Sequence, residues 1–438
     1  MNIVLLSGGS GKRLWPLSND IRSKQFIKIF KDANGEYSSM VQMIYNHLLM
    51  IDAKTNITIA TSKTQVSTLR NQLGDDVSIC VEPCRRDTFP AVALACAYLH
   101  DVKNVPDDEV VVCCPVDPYV HKDYFESLYR LGSIAQSDST NLYLMGIKPT
   151  YPSEKYGYII PENADTVSRV SGFKEKPDAE TAQRYIDLGA LWNGGIFAFK
   201  IGYIMKKTAQ ITGFDCYKDL YENYASLEKI SFDYAVSEKE NDIKVMLFTG
   251  EWKDLGTWNT LTEAMDDECM GNVVKDDCCS NVHIINELDI PILCMGMKDA
   301  VVTASHNGIL VSDKNRSSFI KPYVDKMTDL VMFAEKSWGS YKVIDVEDNS
   351  LVIKVTLNPG HSMHYHSHEH RDEIWNIISG TGIVVLNDQK INVTSGDVIK
   401  IKAGDKHTVS AISELCVIET QIGNDINVND KIKYSFEM

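Results

Sequence analysis

The chain is 438 residues long, 44% hydrophobic and 24% charged, which is enough for two or three domains that each bury a core and carries no bias toward disorder. A net charge of -16 and a pI near 5.2 argue against nucleic acid and membrane surfaces as partners, since both are polyanionic. No apolar run is long enough for a membrane span, and the N-terminus lacks the parts of a signal peptide, so the chain is expected in the cytoplasm. The cysteine count is odd and includes two adjacent pairs but no CxxC, which points to free thiols in a reducing compartment.

Ile3-Val4-Leu5-Leu6 predicts a buried strand that opens directly into Ser7-Gly8-Gly9-Ser10-Gly11-Lys12-Arg13. Gly8, Gly9 and Gly11 let backbone N–H groups approach an anion, and Arg13 adds a fork of donors, so phosphate is the expected ligand; a plain tight turn is the alternative. Up to about residue 265, apolar strands (Ile57 to Ala60, Val110 to Pro115, Leu142 to Met145) alternate with helical stretches (Ala91 to Asp101, Ala179 to Leu188). That pattern predicts an α/β fold with a mostly parallel sheet, whose ligands collect beyond the carboxyl ends of the strands. Between residues 270 and 322, short strands recur at roughly ten-residue spacing, which fits coils of a small β-helix or a plain meander. From Trp338 onward, strands joined by Gly, Asn and Asp turns predict a β-sandwich or barrel, with the charged stretch Asp325 to Lys336 as the boundary.

The first segment carries a series of ordered blocks. The glycine turn with Arg13 is followed eleven residues later by Lys24, and this pairing resembles the signature of sugar-1-phosphate nucleotidylyltransferases. Glu82-Pro83-Cys84-Arg85-Arg86-Asp87-Thr88-Phe89-Pro90 is similar to a block of mannose-1-phosphate guanylyltransferases. Pro115-Val116-Asp117, Tyr156-Gly157-Tyr158-Ile159, Glu175-Lys176-Pro177, Trp192-Asn193-Gly194-Gly195 and Asp254-Leu255-Gly256-Thr257-Trp258 complete the set. Full-length, the chain resembles the bifunctional type II phosphomannose isomerase/GDP-mannose pyrophosphorylase family. It departs from the family pattern at Asp87, Phe89, Pro118 and Gly194, which bears on the identity of base and sugar.

The resemblance implies a reaction in which a sugar-1-phosphate oxygen attacks the α-phosphorus of a nucleoside triphosphate as pyrophosphate departs. It places Arg13 and Lys24 on the triphosphate, and Asp117 and Asp254 on Mg²⁺, a hard cation suited to carboxylate oxygens. Lys176 is implied at the sugar phosphate and Glu175, Asn193 and Gly157 at the sugar. Glu82, Arg86, Asp87 and Thr88 would line the base pocket next to Gly8, Gly9 and Gly11. Taken singly, Asp117 and Asp254 read more readily as turn or capping residues.

The C-terminal segment has a cluster of histidines. Gly360-x5-His366-x-His368-x4-Glu373-x6-Gly380 matches the first cupin motif, and Gly396-x5-Lys402-x-Gly404-x2-His407 the second. Strand alternation puts His366 and His368 on one side, a later hairpin brings His407, and with Glu373 they form a ligand set for a divalent transition metal such as Zn²⁺. His361, His364 and His370 read as solvated. In the resembling family this domain isomerises mannose-6-phosphate, but here no arginine follows Gly423, so a phosphate contact is expected to be missing.

The expected architecture is a Rossmann-like nucleotidyltransferase domain over residues 1–265, a short β-helix-like segment over 266–330 and an all-β cupin (jelly-roll) over 335–438. The expected reaction is GTP plus mannose-1-phosphate to GDP-mannose and pyrophosphate, by a homo-oligomer, a dimer at its simplest. The alternatives are a transferase for another sugar-1-phosphate with a non-isomerase cupin, a cupin isomerase as the main activity, and a non-enzymatic binder of nucleotide sugars.

Overall fold

A computed structural model of the chain describes residues 1–9, 11–19, 21–32, 34–327, 331–427 and 430–435. The backbone separates into two compact units, one formed by Met1–Ser10, Lys24–Val66 and Asp76–Asp266, the other by Gly11–Ser23, Ser67–Asp75 and Asp267–Met438. Of the expected boundary stretch, residues 328–330 lie outside the described residues. Among the described residues no helix is long and apolar enough to cross a membrane.

The first unit is built on a nine-stranded sheet. Its strands, with a short pair at its edge, are β1 (Asn2–Ser7), β2 (Asn56–Ser62), β3 (Ser78–Glu82), β4 (Val110–Pro115), β5 (Pro118–Val120), β6 (Leu142–Ile147), β7 (Gly157–Pro161), β8 (Val167–Lys174), β9 (Leu191–Lys200), β10 (Ile243–Phe248) and β11 (Trp252–Asp254). The order is β3-β2-β1-β4-β9-β6-β10-β8-β7, with β5 and β11 paired separately. Strands β3, β2, β1 and β4 are mutually parallel, as expected, but β9 runs antiparallel to both β4 and β6, and β8 antiparallel to β10 and β7. The sheet is therefore mixed, not mostly parallel. An apolar run such as Ile196-Phe197-Ala198-Phe199 is buried on both faces in either direction, so hydrophobic pattern carries no sense of strand polarity.

Helix α1 (Thr88–Ala97) shows how local sequence fixes this core. Phe89 to Ala97 are all buried, so the helix lacks a polar stripe and sits wholly inside the unit, against Val4, Val111, Cys113, Phe197 and Phe199. Asp87 caps it by accepting from Thr88 N at 2.8 Å, and Pro90 falls in the first turn, where a missing N–H costs nothing. The expected helix end at Asp101 is a separate π-helical turn, Tyr98–Val102. Each fully buried Phe or Leu here contributes roughly 1.5–3 kcal/mol of transfer free energy.

The second unit carries short strands β12 (Cys269–Met270), β13 (Val273–Lys275), β14 (Ser280–Asn286), β15 (Ile292–Cys294), β16 (Lys298–Ser305) and β17 (Gly308–Asp313). Pairs β12–β14, β14–β16 and β13–β15 are parallel; β16–β17 is antiparallel. The C-terminal region is all β. A six-stranded sheet has the order β18 (Phe333–Lys336), β19 (Gly339–Glu347), β20 (Ser350–Leu357), β27 (Leu415–Gly423), β22 (Arg371–Ser379), β25 (Val398–Ile401). A five-stranded sheet has the order β24 (Gln389–Thr394), β23 (Thr381–Leu386), β26 (His407–Ala411), β21 (His366–Ser367), β28 (Ile432–Lys433). All pairs in both are antiparallel, and Trp375, Ile377, Val384, Val409 and Val417 form their common core.

Candidate functional site

In the first unit a cavity of about 600 Å³ opens where β1, β2, β3 and β4 end, lined by Ser7, Ser62, Glu82 and Pro115. This is where open α/β sheets collect ligands. Gly8 and Gly9 form its floor, and Gly9 has φ +145°, which a side-chain-bearing residue rarely adopts. Their backbone is held by Arg85, whose Nη2 donates to Gly9 O at 3.1 Å. Arg13 is exposed on the short helix Gly11–Leu14, which clusters with the second unit.

Three charged residues meet at the cavity. Strand β11 pairs with β5 so that Asp254 stands opposite Pro118, which sets Asp254 next to Asp117. Lys24 Nζ lies 2.9 Å from Asp117 Oδ2 and 2.9 Å from Asp254 Oδ1. Burial by itself lowers an amine's pKa, but the two carboxylates outweigh it and hold Lys24 above its usual range. The ammonium shows that both carboxylates converge on a single cation position, so the pair fits a divalent metal once Lys24 turns aside.

The other end of the cavity is a hydrogen-bonding wall. Gly157 stands opposite Asn193 in the β7–β9 register, and a side chain on Gly157 would run into the Glu175 carboxylate, the Phe173 ring and Asn193. Glu175 is buried; its Oε1 pairs with Lys176 Nζ at 2.7 Å while its Oε2 has no hydrogen-bond partner. Asn193 is fixed at both ends of its amide, accepting from Gly195 N at 3.1 Å and donating to Asp233 Oδ1 at 2.7 Å. Asp233 also accepts from Ser237 Oγ at 3.3 Å. Burial, with the Glu175 charge adding to it, pushes the Asp233 carboxyl up to about 7.

The expected base-pocket residues lie along the same cavity. Glu82 is buried and accepts from Tyr224 Oη at 2.9 Å; burial raises its carboxyl, with the Tyr224 bond and Arg85 opposing. Arg86 donates to the Ala225 carbonyl. Asp87 holds φ +71° and ψ -175°, a strained backbone for a residue with a side chain, at the junction of cavity and helix. Asp233, Lys155 and Lys229 also line the cavity, and sequence reading missed them. Asp233 lies in an isolated turn, Asp233–Ser237, with no glycine or motif neighbour to flag it.

In the C-terminal region, His366, His368 and His407 are buried and offer ligand atoms that all lie within 4.8 Å of one another. The Nδ1 of each ring faces a backbone carbonyl: His364 O at 2.6 Å, Asp430 O, and Asp405 O at 2.9 Å. A carbonyl only accepts, so each Nδ1 carries a hydrogen and, in the neutral ring, each Nε2 presents a lone pair. His407 Nε2 is buried without a hydrogen bond and faces Glu373 Oε2 at 3.4 Å. With the ring neutral, His407 Nε2 and Glu373 Oε2 are two acceptors that a cation would bridge, so the set fits a metal ion.

Glu373 is fixed from behind, its Oε1 accepting from Arg371 Nε and its Oε2 from Trp375 Nε1, each at 3.0 Å. Burial opposes its charge, but His407, His368 and Arg371 hold it well below the carboxylate range. Burial lowers His366 to about 2, with the Lys431 charge adding to it, and His368 to about 4. His364 and His370 are exposed and His361 is half-buried, apart from the three.

Comparison with known proteins gives this geometry a lineage. The nucleotidyl transferase family profile matches residues 2–270, and the mannose-6-phosphate isomerase C-terminal profile matches residues 324–435. The chain is 27% identical to mannose-1-phosphate guanylyltransferase of Salmonella montevideo, covering 99% of this chain and 98% of that protein. It is 29% identical to xanthan biosynthesis protein XanB of Xanthomonas campestris pv. campestris (strain B100), over 98% of this chain and 97% of the relative. A solved structure from Thermus thermophilus, reported as mannose-1-phosphate geranyltransferase, superposes with a TM-score of 0.62 at 27% identity, over 74% of this chain and 98% of that one. The glycine turn, the paired aspartates and the histidine cluster thus sit in a chain that belongs to the nucleotidyl transferase family, in its bifunctional form with a mannose-6-phosphate isomerase C-terminal region.

Proposed function

We propose that the chain transfers a guanylyl group from GTP to mannose-1-phosphate, releasing pyrophosphate, and that its C-terminal region holds a transition metal and isomerises mannose-6-phosphate. The observation that carries the first half is Lys24 bridging Asp117 and Asp254 at the mouth of a glycine-floored cavity. In-line displacement at a phosphorus is mostly positioning and charge neutralisation. Gly8 and Gly9 supply the backbone surface for phosphates, and Lys24 a cation beside it. Glu175 Oε2, Asn193 and Asp233 are acceptors for sugar hydroxyls, and Lys176 stands over the sugar phosphate. Mg²⁺, held by Asp117 and Asp254, would draw charge from the phosphate oxygens. The Glu82 to Thr88 strip, with its buried carboxylate and capped helix, provides polar edges for reading guanine.

In the second half, His366, His368, His407 and Glu373 would hold a divalent transition metal, Zn²⁺ among them, that polarises a sugar carbonyl. Glu419, buried on the same sheet face and raised by burial and the Glu373 charge to about 8, keeps its proton at neutral pH. We infer, from the two facing antiparallel sheets, that this region is a cupin jelly-roll. The parallel short strands before it support a β-helix-like segment, giving domains over 1–265, 266–330 and 335–438. We further propose a cytoplasmic homo-oligomer, a dimer at its simplest.

The deciding experiment is pyrophosphate release from four nucleoside triphosphates against a panel of sugar-1-phosphates. GTP with mannose-1-phosphate should lead by at least tenfold, on the order of what buried unpaired base contacts impose. Equal rates across the panel, or release only with another pair, would overturn the assignment.

A further inference from the structure

The missing arginine after Gly423 leaves open how the C-terminal site would hold a phosphate. Strand β28 supplies an answer. It pairs antiparallel with β21 at the edge of the five-stranded sheet, so that Lys433 stands opposite His366 and Ile432 opposite Ser367. Directly opposed residues of an antiparallel pair project to the same face, and residues two apart along a strand share it. Lys431 and Lys433 therefore stand on the face that carries His366 and His368.

Lys336, lowered first by its own burial, is lowered further by Lys433. Neither Lys431 nor Lys433 has a carboxylate within ion-pair distance among the described residues. By contrast Lys402 is neutralised by Asp372 at 2.7 Å, and Arg371 is committed to Glu373, the Asn427 carbonyl and Asp430. Two lysines without an ion-pair partner at contact distance favour a bound anion.

The six-stranded sheet describes the ligand's other end. Glu373 stands opposite Gln421 and Trp375 opposite Glu419 in the β22–β27 register, and Glu373, Gln421 and Glu419 are all buried. Such a wall of hydrogen-bonding groups suits a polyhydroxyl compound and disfavours an acyl chain.

We propose that Lys431 and Lys433 form the anion-binding end of the histidine site and take the phosphate of a sugar phosphate whose carbohydrate end faces His366, His368 and His407. The inference rests on reading the C-terminal region as acting on a hexose phosphate. It reassigns to β28 the contact that the absent arginine would have made.

The test uses the full chain loaded with metal. Mannose-6-phosphate, mannose and inorganic phosphate are titrated calorimetrically into wild type, K431Q/K433Q and, as a control, K402Q. Mannose-6-phosphate should bind wild type, with inorganic phosphate competing and mannose alone binding far more weakly. The double variant should weaken mannose-6-phosphate by about tenfold or more through the lost charge-assisted hydrogen bonds, with metal content and guanylyl transfer unchanged. K402Q should match wild type, and K431R/K433R should restore binding, which separates charge from folding. Unchanged affinity in K431Q/K433Q, or an equal loss in K402Q, overturns the proposal. Lysine-dependent binding without isomerisation in wild type would support the site and overturn the isomerase reading. Isomerisation indifferent to both lysines would do the reverse.

Discussion

The two sites are prepared for their ligands in opposite ways. In the transferase cavity the charges are already paired, Lys24 sitting 2.9 Å from each of two carboxylates. In the histidine site burial keeps His366 and His368 neutral, and the Nδ1 of each of the three rings donates to a backbone carbonyl. The first arrangement holds a cluster of ions together until a polyanion and its metal take them apart. The second holds lone pairs aimed at one point. Carboxylates already paired with a cation tolerate an open, solvated mouth, whereas ring nitrogens gathered at one point are kept in a closed interior; Asp117 and Asp254 are accordingly part-exposed and His366, His368 and His407 buried.

The sharpest way to break this contrast is to remove one ligand from each side. Asp254→Asn should lower guanylyl transfer by on the order of 10²–10³-fold while leaving thermal unfolding nearly unchanged, because the residue sits in an accessible mouth and not in the core. Near wild-type turnover would remove Asp254 from the metal site. His407→Ala should lose the bound transition metal, read by elemental analysis, with transfer activity intact. Metal retained at wild-type stoichiometry would reject the ligand set, and on the order of 10–100-fold weaker binding is the smallest loss consistent with it.

A finer test concerns Asp233. Asp233→Asn keeps the acceptor for Asn193 but removes a charge, so KM for mannose-1-phosphate should rise by roughly tenfold with KM for GTP little changed. The same variant carries a stability signature. Folding raises this carboxyl to about 7, so the group favours the folded state below its unfolded value and that contribution is lost as pH rises through 7. The gap in Tm between the variant and wild type should therefore shift in the variant's favour from about pH 4 to pH 8. A constant gap would show that Asp233 is not titrating in this range.

The smallest effect is expected at Gly157. Gly157→Ala should weaken sugar-1-phosphate binding by a few-fold, about 1 kcal/mol, by pressing on the Glu175 carboxylate and Asn193. An unchanged KM would mean that this wall yields freely.

Much of this was legible in the sequence. Strand β1 and its glycine turn and the histidine spacing read from local pattern, whereas Asp117 and Asp254 took their expected role only from the family resemblance of the ordered blocks. What escaped depends on direction and distance along the chain. Strand β9 is inserted antiparallel between β4 and β6, and its apolar run would look the same the other way round. Asp233 acquires its raised carboxyl from burial and from the charge of Glu175, 58 positions away, and carries no motif of its own. The pairing of Lys433 with His366 likewise appears only once β28 is laid beside β21.

The link from β10 to β11 is only Thr249, Gly250 and Glu251, and both of its ends are pinned. Phe248 is held in register with Ile147 in the large sheet, and Trp252 in register with Val120 in the small one. A Cβ on Gly250 would meet the Asp123 carboxylate and the Phe248 ring, so the link has no slack in width either. One inserted residue there would turn Asp254 to the opposite side of its strand, because side chains alternate. Most surface loops absorb changes in length readily; this one is expected to tolerate neither insertion nor deletion, and libraries built on this scaffold should vary length elsewhere.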